Sequence, residues 1–164
     1  MTSETISKKS RVVLVRGMGE KISGKNPVLL FSTTQIEEIL TTVTISEIPF
    51  APDYLLGFCL WRKQVIPVVD TRIRYNLETS LEQKTSSSER YMVVQTVSKV
   101  NKNQKLIQGV LKLSNQIVST EIPGSCSPAD TNSSNIDKSL IKGIFEFQDD
   151  LMIIPDLASI FSSI

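Results

Sequence analysis

The chain has 164 residues, 40% of them apolar, with 18 basic against 17 acidic side chains for a net charge of +1. That is enough apolar material for a core without disulfides or metal, and too little net charge for a surface dedicated to nucleic-acid phosphates or anionic lipid. There is no histidine, which excludes Ser-His-Asp and Cys-His catalysis, nearly all catalytic zinc sites and histidine phosphotransfer. Cys59 and Cys126 form no CxxC pattern. No run approaches the roughly 18 apolar residues of a membrane span, and no apolar segment follows Lys8 and Lys9 as in a signal peptide. The expectation is a protein of the reducing cytoplasm, without direct membrane insertion, catalytic centre, metal or cofactor.

Residues 1 to 10 read as a loose tail. Arg11 to Arg16 is a β-branched run of strand length, and Gly17, Gly19, Gly24, Asn26 and Pro27 then mark a long turn before a second strand at Val28 to Phe31. Ser32 to Leu40 predicts a short helix, with Ser32 and Gln35, or Thr34 and Glu37, spaced as a capping box. β-Branched residues return from Thr41 to Ile48. Pro52 suits the opening of a helical turn and Gly57 its end. Phe58 to Trp61 and Val65 to Val69 form a hairpin around Arg62, Lys63 and Gln64, with Pro67 pointing to an edge or a bulge. A polar connection runs from Asn76 to Arg90. Strands come next at Tyr91 to Val97 and Leu106 to Leu113, then a polar insert from Gly124 to Ser139. The last hairpin spans Ile141 to Phe147 and Leu151 to Ile154, with a short helix after Pro155. The chain is mostly β.

An internal repeat organises these elements. Gly57 to Asp70 matches Gly143 to Asp156 without a gap: glycine, strand, polar turn, apolar strand, aspartate. Upstream, Ser46-Glu47-Ile48-Pro49 resembles Thr120-Glu121-Ile122-Pro123. Two such halves, approximately 11–80 and 90–164, predict two related small β-barrels within one domain. Each half is near the lower size limit for a separate core, so they are expected to pack together.

Ile48-Pro49-Phe50-Ala51-Pro52-Asp53-Tyr54-Leu55-Leu56-Gly57, then Arg62 and Val65-Ile66-Pro67-Val68-Val69-Asp70-Thr71-Arg72, resemble the CheW family of chemotaxis coupling proteins. The resemblance spans roughly Arg11 to Phe161 and is specific between residues 48 and 72. It implies two packed SH3-like β-barrel subdomains with short helices and a non-enzymatic signalling adaptor. The implied partners are the regulatory domain of a CheA-like histidine kinase and the cytoplasmic tip of methyl-accepting chemoreceptors, not nucleic acid. One departure stands out. Leu60-Trp61-Arg62-Lys63 occupies the place of the family's Asn-Leu-Arg-Gly, and lysine reaches the positive φ of that glycine only at a cost of roughly 1 kcal/mol. The turn is therefore expected to be longer or of another type, and the chain a divergent member.

The resemblance places Arg62 on the receptor-binding surface, where a guanidinium at a hairpin tip suits bidentate contact with a carboxylate. Lys63, Val65 and Pro67 are the neighbouring partner-binding candidates. Trp61 suits either an interface anchor or core packing. Asp70 and Asp156, as equivalent repeat positions, are expected to cap the turn or helix after each strand rather than to form a catalytic pair. Glu37 and Glu38 read as a solvated helix face, and Cys59 as a buried small hydrophobe. A rival reading, a small β-barrel nucleic-acid-binding module, rests on Arg72-Ile73-Arg74-Tyr75 as an extended basic and aromatic segment.

Overall fold

A computed structural model describes residues 10–77, 89–100, 102–122, 124–129 and 135–164. The tail expected at 1–10 lies outside these except for Ser10. So do residues 78–88 of the polar connection and residues 130–134 of the insert. Among the described residues, eleven strands and two short α-helices run in order: β1 (Arg11–Arg16), β2 (Asn26–Ser32), β3 (Ile36–Leu40), β4 (Leu55–Trp61), β5 (Gln64–Asp70), α1 (Thr71–Arg74), β6 (Glu89–Val100), β7 (Asn103–Ser114), β8 (Gln116–Glu121), β9 (Ser127–Pro128), β10 (Ile141–Phe147), β11 (Asp150–Pro155) and α2 (Leu157–Ser162). They form two sheets, ordered β8-β1-β2-β11-β10-β9 and β3-β6-β7-β5-β4.

The sheets interleave the sequence instead of respecting the halves 11–80 and 90–164. β1 and β2 leave the first half to pair with β8 and β11, while β6 and β7 leave the second to pair with β3 and β5. The repeat itself keeps its register over its downstream part. Both hairpins carry a bulge, at Leu55/Gly57 and at Ile141/Gly143, and Gly57↔Val68 and Trp61↔Gln64 are matched by Gly143↔Ile154 and Phe147↔Asp150. The amides of Asp70 and Asp156 donate to the carbonyls of Tyr54 and Leu140, again equivalent positions. The upstream match does not hold. Ser46 bridges Phe58 beside β4, whereas Thr120 lies in β8 opposite Val12, so those two segments occupy different places in their sheets.

Three apolar clusters explain why the strands read as nearly continuous apolar runs. Val13 and Val15 of β1 turn into a large core shared by both sheets, and Val12 and Leu14 turn into a second core with Val28, Met152 and Phe145. β6 and β7 repeat the division: Met92, Val94, Leu111 and Leu113 join the shared core, and Val93 and Val110 a third core with Cys59, Trp61, Ile66 and Val68. A strand buried on both faces loses its alternation. Phe31, Tyr75, Leu157, Ile160 and Phe161 complete the shared core. Full burial of each such side chain is worth about 1.5–3 kcal/mol.

Local expectations fail where tertiary pairing overrides propensity. The helix predicted over Ser32 to Leu40 shrinks to a 3-10 turn, Thr33–Gln35, capped by the Ser32 hydroxyl on the Thr34 amide. A nine-residue helix is marginal alone, whereas Ile36–Leu40 gains a ladder with β6. The tight turn after Pro52 is closed by the Leu55 amide on the Pro52 carbonyl at 2.9 Å, and Gly57 lies inside β4 rather than ending a helix. Pro67 sits in an interior strand, but β5 meets β7 only from Val68 onward. Its pairing with Phe58, itself bonded outward to Ser46, turns the position of its missing N–H away from β4, where no ladder bond is lost.

Gly57 has φ 141°, and a Cβ there would collide with the Ser46 carbonyl; at Gly143 it would meet only the ring end of Phe145. Gly57→Ala is therefore expected to destabilise the fold by about 2 kcal/mol or more, and Gly143→Ala by clearly less. Urea unfolding of the two variants beside the parent protein checks this.

Candidate functional site: the Arg62 hairpin

β4 and β5 are joined by a two-residue turn, Arg62-Lys63, between the paired Trp61 and Gln64. Both turn residues are left-handed, with φ 43° and 66°. This is the geometry of a type I′ hairpin, whose twist matches the strands but whose positions favour asparagine and glycine. The turn is thus neither longer nor shifted, and lysine accepts the strain of the glycine position.

The turn is held from below. Trp61 is only 8% exposed and belongs to the third core, and its indole N–H donates to Glu38 Oε2 at 2.9 Å. Since β3 and β4 are the outermost strands of their sheet, this bond, with Leu40, Val43 and Ile45 packed near Cys59 and Trp61, curls the sheet into a barrel. The Arg62 guanidinium lies over the Trp61 ring, 4.4 Å from its centroid. Its Nη1 stands 3.7 Å from Glu37 and its Nη2 3.7 Å from Glu38. At these separations the carboxylates orient the guanidinium by charge without forming tight hydrogen bonds. With the Arg62 side chain 61% exposed, the pairing contributes at most about 1 kcal/mol of stability.

Beside the turn lies an apolar flank. Leu60 and Val65 face each other across the hairpin and are 74% and 69% exposed. Phe58 and Pro67 form the next outward pair and are half-buried. The structure therefore brings Arg62, Lys63, Val65 and Pro67 together at one surface and places Trp61 beneath it as a support. The acidic pair Glu37 and Glu38 belongs to this site, contrary to its reading as a solvated helix face. The bulge between Ile36 and Glu38 breaks the alternation that would have marked the strand.

The remaining candidates are structural. The Asp70 carboxylate accepts from the Arg72 and Ile73 amides, and that of Asp156 from the Ser159 amide, so both cap helices as expected. Lys112 approaches Asp70 at 3.5 Å and Glu89 at 3.1 Å. Burial works to lower its pKa, but the Glu89 hydrogen bond and the Asp70 charge outweigh that and raise it. Cys59 is buried, and burial pushes its thiol pKa up, away from a reactive thiolate. Arg72-Ile73-Arg74-Tyr75 is not extended: Thr71–Arg74 forms α1. Arg72 donates to the Gly17 carbonyl at 2.9 Å, Arg74 stacks on Tyr54 and bonds Ser163, and fully buried Tyr75 donates to the Leu140 carbonyl at 2.8 Å. The segment that motivated a nucleic-acid reading is spent on internal contacts. Among the described residues, no cluster of three or more Cys, Asp or Glu is placed to hold a metal ion, and no helix is long and apolar enough to cross a membrane.

Two packed SH3-like barrels with a buttressed hairpin turn on one of them define a double-barrel β protein. The CheW-like domain profile matches residues 11–164, and the chain belongs to that family. It is similar to the scaffolding protein TtCheW from Thermoanaerobacter tengcongensis, seen in a crystal structure. The TM-score is 0.67 over 98% of this chain and 93% of that one, at 19% identity. At that identity the likeness speaks for the fold. No curated protein sequence matches the chain.

Relieving the left-handed strain at the turn tests its geometry. Lys63→Gly is expected to stabilise the protein by up to about 1 kcal/mol, read as a raised denaturation midpoint at unchanged m-value.

Proposed function

We propose that this chain is a non-enzymatic cytoplasmic adaptor that couples a CheA-like histidine kinase to chemoreceptors in chemotaxis or a related motility system. Membership of the CheW-like family supports the adaptor role. The observation that carries the reading is the Arg62 turn: an exposed guanidinium, oriented over Trp61 and between two carboxylates, beside the exposed Leu60 and Val65 pair. A pre-oriented charge next to a small apolar surface suits a protein partner, because less side-chain entropy is lost on binding. Arg62, Lys63, Val65 and Pro67 are the contacts proposed for the receptor's helical tip. An exposed β surface elsewhere on the barrels is the proposed kinase-facing side. Two modest interfaces held together give avidity that neither has alone.

Calorimetric titration separates the two surfaces. The protein and its Arg62→Ala variant are each expected to bind the regulatory domain of a CheA-like kinase from the same genome with micromolar affinity. Against a receptor-tip fragment, Arg62→Ala is expected to weaken binding about tenfold. No binding of the parent protein to any such kinase domain overturns the adaptor reading. Equal receptor affinities would remove Arg62 from the site.

A further inference from the structure

β6 and β7 outrun the sheet that holds them. β3 pairs with β6 only as far as Val94, and β5 with β7 only over Val110–Lys112. Gln95–Val100 and Asn103–Gln108 therefore continue as a ribbon whose ladder partners, among the described residues, are only each other. Such an edge exposes unpaired backbone N–H and C=O groups. Counting from the turn at Lys102, the amides of Gln104, Leu106 and Gln108 point outward along the free edge of β7.

The ribbon is also the most one-sided stretch of charge in the chain. No acidic residue occurs between Glu89 and Glu121, an interval that holds Arg90, Lys99, Lys102, Lys105 and Lys112. Lys99, Lys102 and Lys105 are exposed around the tip. Val97 and Leu106 face each other across the ribbon, each 53% exposed, on the side that carries Lys99 and Gln104. No tryptophan, tyrosine or phenylalanine lies between Tyr91 and Phe145 to stack on a base. The apolar pair sits on the flank below a polar tip, the wrong order for entering a bilayer.

We propose that this ribbon is a second docking element, and that its partner is an acidic, extended segment of another protein adding as a strand to the free edge of β7. Its carboxylates face Lys105, with Lys99 and Lys102 adding to the positive field of the tip, and its apolar side chains lie on the opposite face beside Leu106 and Val97. The β7 edge is favoured over that of β6 because Glu37 and Glu38 lie on β3, beside β6, and repel an acidic strand there. This is strand addition, with backbone bonds giving affinity and side chains giving selectivity. The proposal does not depend on which partner meets the Arg62 hairpin.

The probe is a fluorescein-labelled decapeptide of alternating glutamate and valine, titrated by anisotropy into the full chain at low salt. Saturable binding is expected, weakened about tenfold in the Lys99→Gln/Lys102→Gln/Lys105→Gln variant, whose thermal unfolding should match the parent's. Amide exchange read by NMR is expected to slow at Gln104, Leu106 and Gln108 on peptide addition. Absence of binding, affinity unchanged in the triple variant, or unchanged exchange at those amides overturns the proposal. So does tighter binding of single-stranded DNA or phosphatidylglycerol vesicles under the same conditions.

Discussion

The shared core between the two sheets is the constraint on which the rest of the molecule depends. β1, β6 and β7 are apolar on both faces because each is the wall of a small barrel and half of the contact between barrels. Neither barrel has to be stable alone, since the shared layer serves both. The crossed connectivity strengthens this coupling: β1 and β2 wait for β8 and β11 at the far end of the chain to complete their sheet, while β6 and β7 supply the middle of the other. Separating the halves along the sequence would break both sheets, so the chain is one folding unit despite its internal repeat.

That crossing also explains what the sequence revealed and what it hid. The hairpin repeat was legible because a hairpin is local: its bulge, turn and capping aspartate are all set by neighbours in the chain. β8 was missed because Gln116–Glu121 is an edge strand with exposed alternate residues, and its place beside β1 is set by residues at the opposite end of the sequence. β3 was misread for a related reason. Its capping signal at Ser32 is genuine, but it caps three residues, and pairing with β6 decides the rest. The upstream tetrapeptide match misled because Thr120 and Glu121 end β8, whereas Ser46 forms only an isolated bridge to Phe58.

The proposed functional surface shows the same division. Arg62 and its neighbours were readable as a hairpin tip, since Val65, Lys63 and Arg62 sit within a few residues of one another. Glu37 and Glu38 were not, because only closure of the barrel carries them from the far edge of the sheet to the turn. Trp61 makes that closure specific. Its ring fills the third core while its N–H reaches Glu38, so the residue beneath the site is fixed by the same bond that closes the barrel.

For the proposed partner contact, this arrangement resolves a tension between binding and stability. A guanidinium held in tight hydrogen bonds would have little left to offer a partner, and one without neighbours would lose more rotamer freedom on binding. At 3.7 Å from two carboxylates and 4.4 Å from an indole, Arg62 is confined yet retains its donors. Its exposure keeps the pairing weak in water, so exchanging one carboxylate for another at an interface costs the fold little. The two left-handed residues of the turn fit the same logic. Their strain is local to the tip, while the support comes from Trp61 and the barrel wall beneath it.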